Sequence, residues 1–532
     1  MIARRYGKPF ALGRFLGSLA VAALALPLLT TPTRRAEAAP LVAVLEAEVA
    51  TLDPHFSTAY ITRAFGYTVF DTLFGLTATG EIRPQMVQDT VISEDRLTYT
   101  FTLREGLTWH DGTPVTAADC VASLRRWMPK AGMGRLLAGA TESLEAVDAR
   151  TFRLTLKQPF GLVLQALGQP NTPVPFMMPE RLVRAAGDGR ISEIIGSGPF
   201  VFRQDLYRPG DRIILDRNDR YVPRAEPADF LAGGKRVNIE RLELRTMPDG
   251  ATAASALQQG EIDYIQSPSF DLLPVLERNR RLSVGGPGGM NSYQGYFRLN
   301  HAAPPFNDPE IRQVLWRLFD QSTVLTALGL PERLTQPGCL SWFMCGTPLE
   351  NTAGADIARN PSVAAAREAL RRTRYNGEKV VVLQATDIET LRVSSAVAAD
   401  MLTQAGFNVE LQAMDWGTLL NRRGRREGWS LFGVTASGFD LSAPPTHFYL
   451  SGNCVDYAGW SCDERLKPLF AAFPMAQSLE ERQRIAGEIS AIAFENVPAV
   501  MWGQFVTPAA WRNNLRNLIP SSIPLFWSVE KS

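Results

Sequence analysis

From Leu97 to Leu103 the residues Leu97, Tyr99, Phe101 and Leu103 alternate with Thr98, Thr100 and Thr102, the period of a strand with one buried face. Arg153 to Leu156 and Arg241 to Met247 alternate in the same way. After the turn Asp111-Gly112-Thr113-Pro114, Thr116 stands three before Asp119, a loose capping box that opens a helix with Cys120, Leu124 and Trp127 on its apolar face. The texture changes after residue 291. Asp308-Pro309 supplies an N-cap and a preset first turn, and Ile311, Val314, Leu315, Leu318 and Phe319 then follow at helical spacing. Further on, Val380 to Leu383 reads as a strand, Leu391 to Ala405 as a helix stopped by Gly406, and Val409 to Met414 as a second strand. That order predicts a right-handed βαβ unit in a sheet with parallel strands. Two long connections are expected as loops or hinges: 158–180, rich in Pro and Gln, and 283–291, where Gly285, Gly286, Gly288 and Gly289 tolerate wide backbone changes.

The N-terminus has a different pattern. Arg4, Arg5, Lys8 and Arg14 form a basic leader, 16–29 is almost wholly apolar, and Ala36-Glu37-Ala38 has the small-x-small spacing of a cleavage site. About 14 apolar residues fall short of the ~20 that a membrane-crossing helix needs, so residues 1–38 are expected to be a signal peptide. Their removal takes six of the 55 basic and one of the 54 acidic residues, leaving 49 and 53 and a net charge near −4. No other segment approaches a transmembrane length, so a mature protein in an oxidising compartment is expected.

Composition narrows the function. At 45% hydrophobic and 20% charged residues the chain is ordinary globular material, and its near-neutral balance argues against a nucleic-acid partner. Cys339 and Cys345 bracket one short loop and Cys454 and Cys462 another, so both pairs are candidate disulfides without the paired spacing of a zinc site. Cys120 is read as a buried small hydrophobe. There is no H-E-x-x-H, and His55, His110, His301 and His447 are scattered and read as loop or surface residues. Gly286-Pro287-Gly288 lacks the third glycine of a dinucleotide site, and Gly196-Ser197-Gly198-Pro199 reads as a turn into a strand rather than a nucleophile elbow. No cofactor or metal is expected. An exported hydrolase using Ser197 or Asp440 is the enzyme alternative, and it lacks a positioned base.

Several segments in order resemble the periplasmic solute-binding proteins of ABC importers, in the class that includes the dipeptide- and oligopeptide-binding proteins. They are Leu52-Asp53-Pro54-His55, Tyr99-Thr100-Phe101, the run 104–119 containing Gly106-Leu107-Thr108-Trp109-His110-Asp111-Gly112, Gly196-Ser197-Gly198-Pro199-Phe200, Gly260-Glu261-Ile262-Asp263, and Phe306-Asn307-Asp308-Pro309-Glu310-Ile311. The resemblance implies a two-lobed α/β fold of the large class. Lobe I would span 39–290 with an inserted subdomain at about 81–195 and a return at 501–532; lobe II would span 291–500. It also implies a ligand cleft between the lobes, a monomer in the periplasm, and membrane-embedded permease subunits as partners. The ligand would be a small polar solute, with a short peptide favoured over an opine, a sugar conjugate or another polar metabolite.

In the peptide-binding members an aspartate four residues before a proline holds the ligand's α-ammonium, and Asp440 stands four before Pro444 here. Those members carry Trp before the aspartate and an acid before the proline, where this chain has Ser437 and Ala443. The backbone of Ser437, Gly438 and Phe439 could take an extended peptide as an added strand. Trp416 follows a strand's C-terminal end, where open α/β sheets expose their crevice, and Ser57, Tyr60, Asn291 and Ser292 complete the candidate ligand contacts. The cluster Arg422, Arg423, Arg425 and Arg426 reads as a solvated helix end.

Overall fold

The computed structural model describes residues 39–455 and 457–532, so the expected signal peptide over 1–38 lies outside the described residues. Three sheets of four or more strands organise the chain. The first has seven strands, in the order Leu282–Gly285, Ala509–Arg512, Tyr264–Ile265, Leu41–Val44, Arg241–Arg245, Arg212–Arg217 and Phe200–Phe202. Its central strand Leu41–Val44 is buried throughout and runs parallel to both neighbours. The second has six strands, in the order Thr335–Gln336, Ala499–Phe505, Tyr293–Leu299, Leu431–Ser437, Lys379–Ala385 and Asn408–Met414. A four-stranded antiparallel sheet spans Val87–Ile92, Thr98–Leu103, Thr151–Leu156 and Thr141–Ala146. In it Tyr99, Phe101 and Leu103 face the core, as their alternation with threonine requires.

Local signals account for most of these elements. Thr116 and Asp119 form a complete capping box at the helix Ala117–Trp127, whose buried face carries Cys120, Leu124 and Trp127. Lys379–Ala385 and Asn408–Met414 pair in parallel across the helix Glu389–Ala405, which ends at Gly406 with φ +105. The helix capped by Asp308 covers only Pro309–Trp316, because Asp320 immediately caps another helix, Gln321–Ala327, and the chain must leave the first helix to supply it. Leu318 and Phe319 remain buried in the turn between them. The connection 158–180 contains the short helix Val163–Gly168, whose Ala166 and Leu167 are buried, so its Pro and Gln content concealed an apolar run.

The chain passes from the first sheet to the second after Gly285 and returns after Phe505. The return therefore lies beyond the expected boundary at 501, since Ala499–Phe505 pairs along Tyr293–Leu299 inside the second sheet. A Cβ on Gly286 would lie 3.0 Å from Val506 Cγ1, so the two crossings run side by side only because that position is bare. Of the four expected hinge glycines only Gly289 adopts a positive φ, +63. At Gly286 the requirement is close approach, not backbone freedom.

Two buried ion pairs hold the surroundings of the helix Tyr60–Val69. Arg126 grips Asp53 with two hydrogen bonds of 3.0 and 2.6 Å, and Lys235 reaches Asp71 at 2.8 Å. All four side chains are almost wholly inaccessible, so removing either partner would strand a charge. The histidines also correct an expectation. All four lie in turns or loops, as expected, but His55 and His447 are fully buried there and His110 and His301 half-buried, rather than on the surface. Burial holds His55 and His447 down to about 3, so both are neutral packing groups at physiological pH.

Cys339–Cys345 and Cys454–Cys462 are disulfides, while Cys120 is free and buried, its thiol pushed up by burial. No helix among the described residues is long and apolar enough to cross a membrane. In the oxidised protein a thiol reagent should find no reactive cysteine until the chain unfolds in non-reducing denaturant, when one thiol per chain should react. Titration of all five cysteines under those conditions would contradict the disulfide assignment.

Candidate functional site

The strand Leu431–Ser437 runs directly into a short helix, Gly438–Leu441. A Cβ on Gly438 would sit 2.7 Å from the Met290 carbonyl oxygen, and the Gly438 amide donates to the Ser292 carbonyl at 2.8 Å. The helix start is thereby pressed onto the first crossing between sheets. The following residues project into the opposite half of the molecule. Phe439 is buried in the core built on the first sheet and stacks on Phe230 at 5.7 Å. Asp440, 2% exposed, accepts a 2.6 Å bond from the Tyr60 hydroxyl and a 3.0 Å bond from Asn171 Nδ2. Asn171 also donates to the Phe439 carbonyl at 2.7 Å.

Asp440 therefore has only neutral donors, and among the described residues it forms no ion pair. The cation whose field reaches it is Arg63, which lies over the Tyr60 ring at 4.7 Å and the Phe439 ring at 5.6 Å and donates to the Pro170 carbonyl. Burial pushes the Asp440 carboxyl up, against the opposing pull of Arg63 and the bonds from Tyr60 and Asn171. Burial, reinforced by the neighbouring Asp440 charge, drives the Tyr60 phenol well above its ordinary value, so it stays a donor.

Tyr60 lines a cavity of about 780 Å³ with walls from both halves. Glu46 and Glu48 reach it from the segment after the strand Leu41–Val44, and Asp387 and Glu389 from the segment after Lys379–Ala385. Tyr293 and Phe505 form part of its wall. A second cavity of about 440 Å³ meets Asp440 itself, with Asn171, Lys130, Arg135 and Phe448 in its lining. The buried carboxylate thus sits in a partition between two interlobe spaces.

The chain matches a recognised group of proteins. The family model for bacterial extracellular solute-binding proteins, family 5 Middle, matches residues 81–457. The chain belongs to that family. A probable peptide ABC transporter periplasmic-binding protein, y4tO of Sinorhizobium fredii (strain NBRC 101917 / NGR234), is 36% identical, over 97% of this chain and 98% of the relative. Two solved structures share the fold at 20% identity each. The binding protein AgaA in complex with agropinic acid, from A.tumefacien R10, has a TM-score of 0.74 and covers 93% of this chain and 99% of its own. The DppA protein of Helicobacter pylori in complex with peptide STSA has a TM-score of 0.73, covering 93% and 98%. The two-lobed α/β fold of family 5 is the fold of this chain, with one lobe built on each large sheet.

Within this family 5 chain the expected contacts separate into two groups. Asp440, Phe439 and Tyr60 come together. Ser437 and Gly438 join them through backbone only: the Ser437 amide donates to the Tyr60 hydroxyl at 3.2 Å and Gly438 to Ser292. In this structure the Ser437 amide is thus occupied by Tyr60 and the backbone leaves the strand at Gly438, where the helix begins. Ser57 caps the approach to the Tyr60 helix through the Ala59 amide. Asn291 accepts from the Ser522 amide and ties the crossing to the C-terminal tail. Trp416 packs on the second-lobe core and lies outside the cavity lining; its amide donates to Asp387 at 2.8 Å and orients that carboxylate.

Sequence reasoning missed Asn171, Arg63, Glu46, Asp387 and Glu389. A usable signal existed for Glu46 and Asp387, since each follows a parallel strand's C-terminal end. Ser197 is buried, and the nearby His110 spends its ring nitrogens on the backbone of Gly198 and Gly196. A Cβ on Gly196 would meet the Val69 carbonyl at 1.9 Å, which explains the Gly-Ser-Gly turn as close packing.

A raised acid pKa means that the folded form holds the proton more tightly than the unfolded chain. Its contribution is fully present below the ordinary carboxylate range and is lost as pH rises through the raised value. Asp440→Asn removes that loss. In ligand-free protein the melting temperature of the variant minus that of the wild type should rise between about pH 4 and pH 7. A difference that falls over that interval would show that the carboxylate is stabilised, not strained, by its burial.

Proposed function

We propose that this chain is the periplasmic receptor of an ABC importer, exported by its N-terminal signal peptide, and that it captures a short peptide or another amine-bearing solute between its lobes. The observation that carries the reading is Asp440: a buried carboxylate at the lobe junction, held by a phenol and an amide and paired with no cation among the described residues. A ligand ammonium supplies the missing countercharge. Such a charge-assisted contact contributes roughly 1.5–3 kcal/mol when its geometry is good. Asp440 comes from the second lobe and the Tyr60 and Asn171 side chains that meet it from the first, so an ammonium placed there favours the closed form over the open one.

Capture and release are non-covalent in this reading. The Ser197 hydroxyl has no hydrogen-bond partner and Asp440 is bonded to no histidine among the described residues; in this reading the ligand leaves unchanged for the membrane-embedded permease subunits. The receptor acts as a monomer. The second reading replaces the peptide with an opine or sugar conjugate. It is favoured by Ser437 standing where the peptide binders carry Trp, and by the fold shared with a protein solved with agropinic acid.

Thermal shift and calorimetry against dipeptides, tripeptides, opines and sugars should single out amine-bearing peptides as stabilisers. Asp440→Asn should weaken the selected ligand at least tenfold, about 1.4 kcal/mol. Unchanged affinity would remove Asp440 as anchor; selection of a sugar without an amine would replace the peptide reading with the second one; consumption of the ligand would point to a hydrolase.

A further inference from the structure

The interlobe cavity of about 780 Å³ has a one-sided charge. Glu46, Glu48, Asp387 and Glu389 line it, and no lysine, arginine or histidine does. The four acids come from both lobes, two after each of two parallel strands, so closure brings like charges toward a common space. Elsewhere in the chain exposed acids repeatedly sit against arginine, as Asp205 does with Arg203 and Glu105 with Arg150. None of these four forms an ion pair among the described residues. Their hydrogen bonds come from neutral donors: the Gly210 amide to Glu48, the Trp416 amide to Asp387 and the Ser269 hydroxyl to Glu389. The Glu46 carboxylate takes none of these donors; its side chain is open to the cavity yet crowded by the cleft walls, and this loss of water pushes its pKa up. Arg63 is the cation that opposes the shift, and it is tucked against the Tyr60 ring, outside the lining.

Two further features suit a positively charged guest. Tyr60, Tyr293, Phe270 and Phe505 present aromatic rings to the same space, and ring faces attract ammonium and guanidinium groups. Ser437, fully buried with an unpartnered hydroxyl, is in register with Tyr293 and Phe505 in the strand row whose Tyr293 and Phe505 line the cavity. Its hydroxyl has no hydrogen-bond partner among the described residues.

We propose that the guest carries a positive charge beyond its α-ammonium, and that Glu46, Asp387 and Glu389 hold it across the cleft. Short peptides with a lysine or arginine side chain are the chemical class that fits. This assignment rests on the receptor reading above and adds to it the charge of the ligand. A peptide carboxylate is excluded from the acidic end; the basic residues Lys130 and Arg135 line the other cavity, on the far side of the Tyr60–Asp440 contact. Closure without a guest leaves the four acids facing one another, so a cationic guest stabilises the closed form more than a neutral one of equal size.

The test is calorimetry on the full mature chain with size-matched probes: a lysine-containing dipeptide, a methionine-containing one, a glutamate-containing one, and a polyamine that has no carboxylate. The lysine peptide should bind at least tenfold tighter than the glutamate peptide, and its affinity should fall with added salt more steeply than that of the methionine peptide. Glu46→Gln combined with Glu389→Gln should shrink the lysine-to-glutamate ratio at least fivefold. Circular dichroism and melting of that variant report whether it folds; if it does not, the single Glu389→Gln variant, whose side chain is partly exposed, must reduce the same ratio. Equal or tighter binding of the neutral or acidic peptide overturns the charge assignment and leaves the receptor reading standing. Binding of the polyamine alone supports the charge assignment and removes the peptide. A protein that takes none of the four overturns both.

Discussion

A carboxylate buried between two lobes without a contacting cation is the constraint on which this structure turns. Burying a charge in a protein interior carries a large desolvation penalty unless hydrogen bonds or an opposite charge offset it. At Asp440 the offset is incomplete: one phenol, one amide and the field of Arg63 stabilise it, while burial still raises its pKa. By contrast, Asp53 and Asp71 are equally inaccessible but directly paired with Arg126 and Lys235. The difference separates a charge used for construction from a charge held in reserve. In the proposed function an ammonium from outside gives Asp440 what the chain gives the other two.

The scaffold makes that reserve possible by controlling how closely the two lobes approach. Only bare positions allow the contacts at the junction: Gly286 beside Val506 where the two crossings pass, and Gly438 against the Met290 carbonyl where the second lobe leans on the first crossing. With Gly438 seated there, Phe439 is delivered into the first-lobe core and Asp440 meets Tyr60. A side chain at 438 would lift the whole segment, and the carboxylate would face water instead. Fold and site are thus coupled through a few contacts near the crossings, while the acidic residues across the main cavity belong to strand ends some distance along each lobe.

Much of the architecture was legible because it rests on local rules. The capping box at Thr116, the βαβ unit whose helix stops at Gly406 and the alternating strand at 98–103 follow from spacing, which also marked both cysteine pairs as candidate disulfides. Asp440 came into view through family resemblance, and the structure places it buried against Tyr60 and Asn171. What escaped was whatever depends on three-dimensional proximity. Asn171 lies in a connection with no periodicity, Arg63 looks like one more basic residue on a helix, and the histidines gave no hint of being buried. The Ser437 amide, where an added strand was expected, is bonded to the Tyr60 hydroxyl in this structure, a contact that no spacing in the sequence announces. Trp416 sits where strand-end reasoning placed it, yet the side chain presented to the cavity is its hydrogen-bonded neighbour Asp387.

Native mass spectrometry of the receptor, purified with the guest it carries and then gently unfolded, most directly tests the claim that its lobes hold a guest by reversible charge contacts. The account predicts a small amine-bearing molecule released at one per chain, with the same mass after prolonged incubation with excess protein as before. Release of a molecule without an amine, or accumulation of fragments of the guest over time, would contradict it.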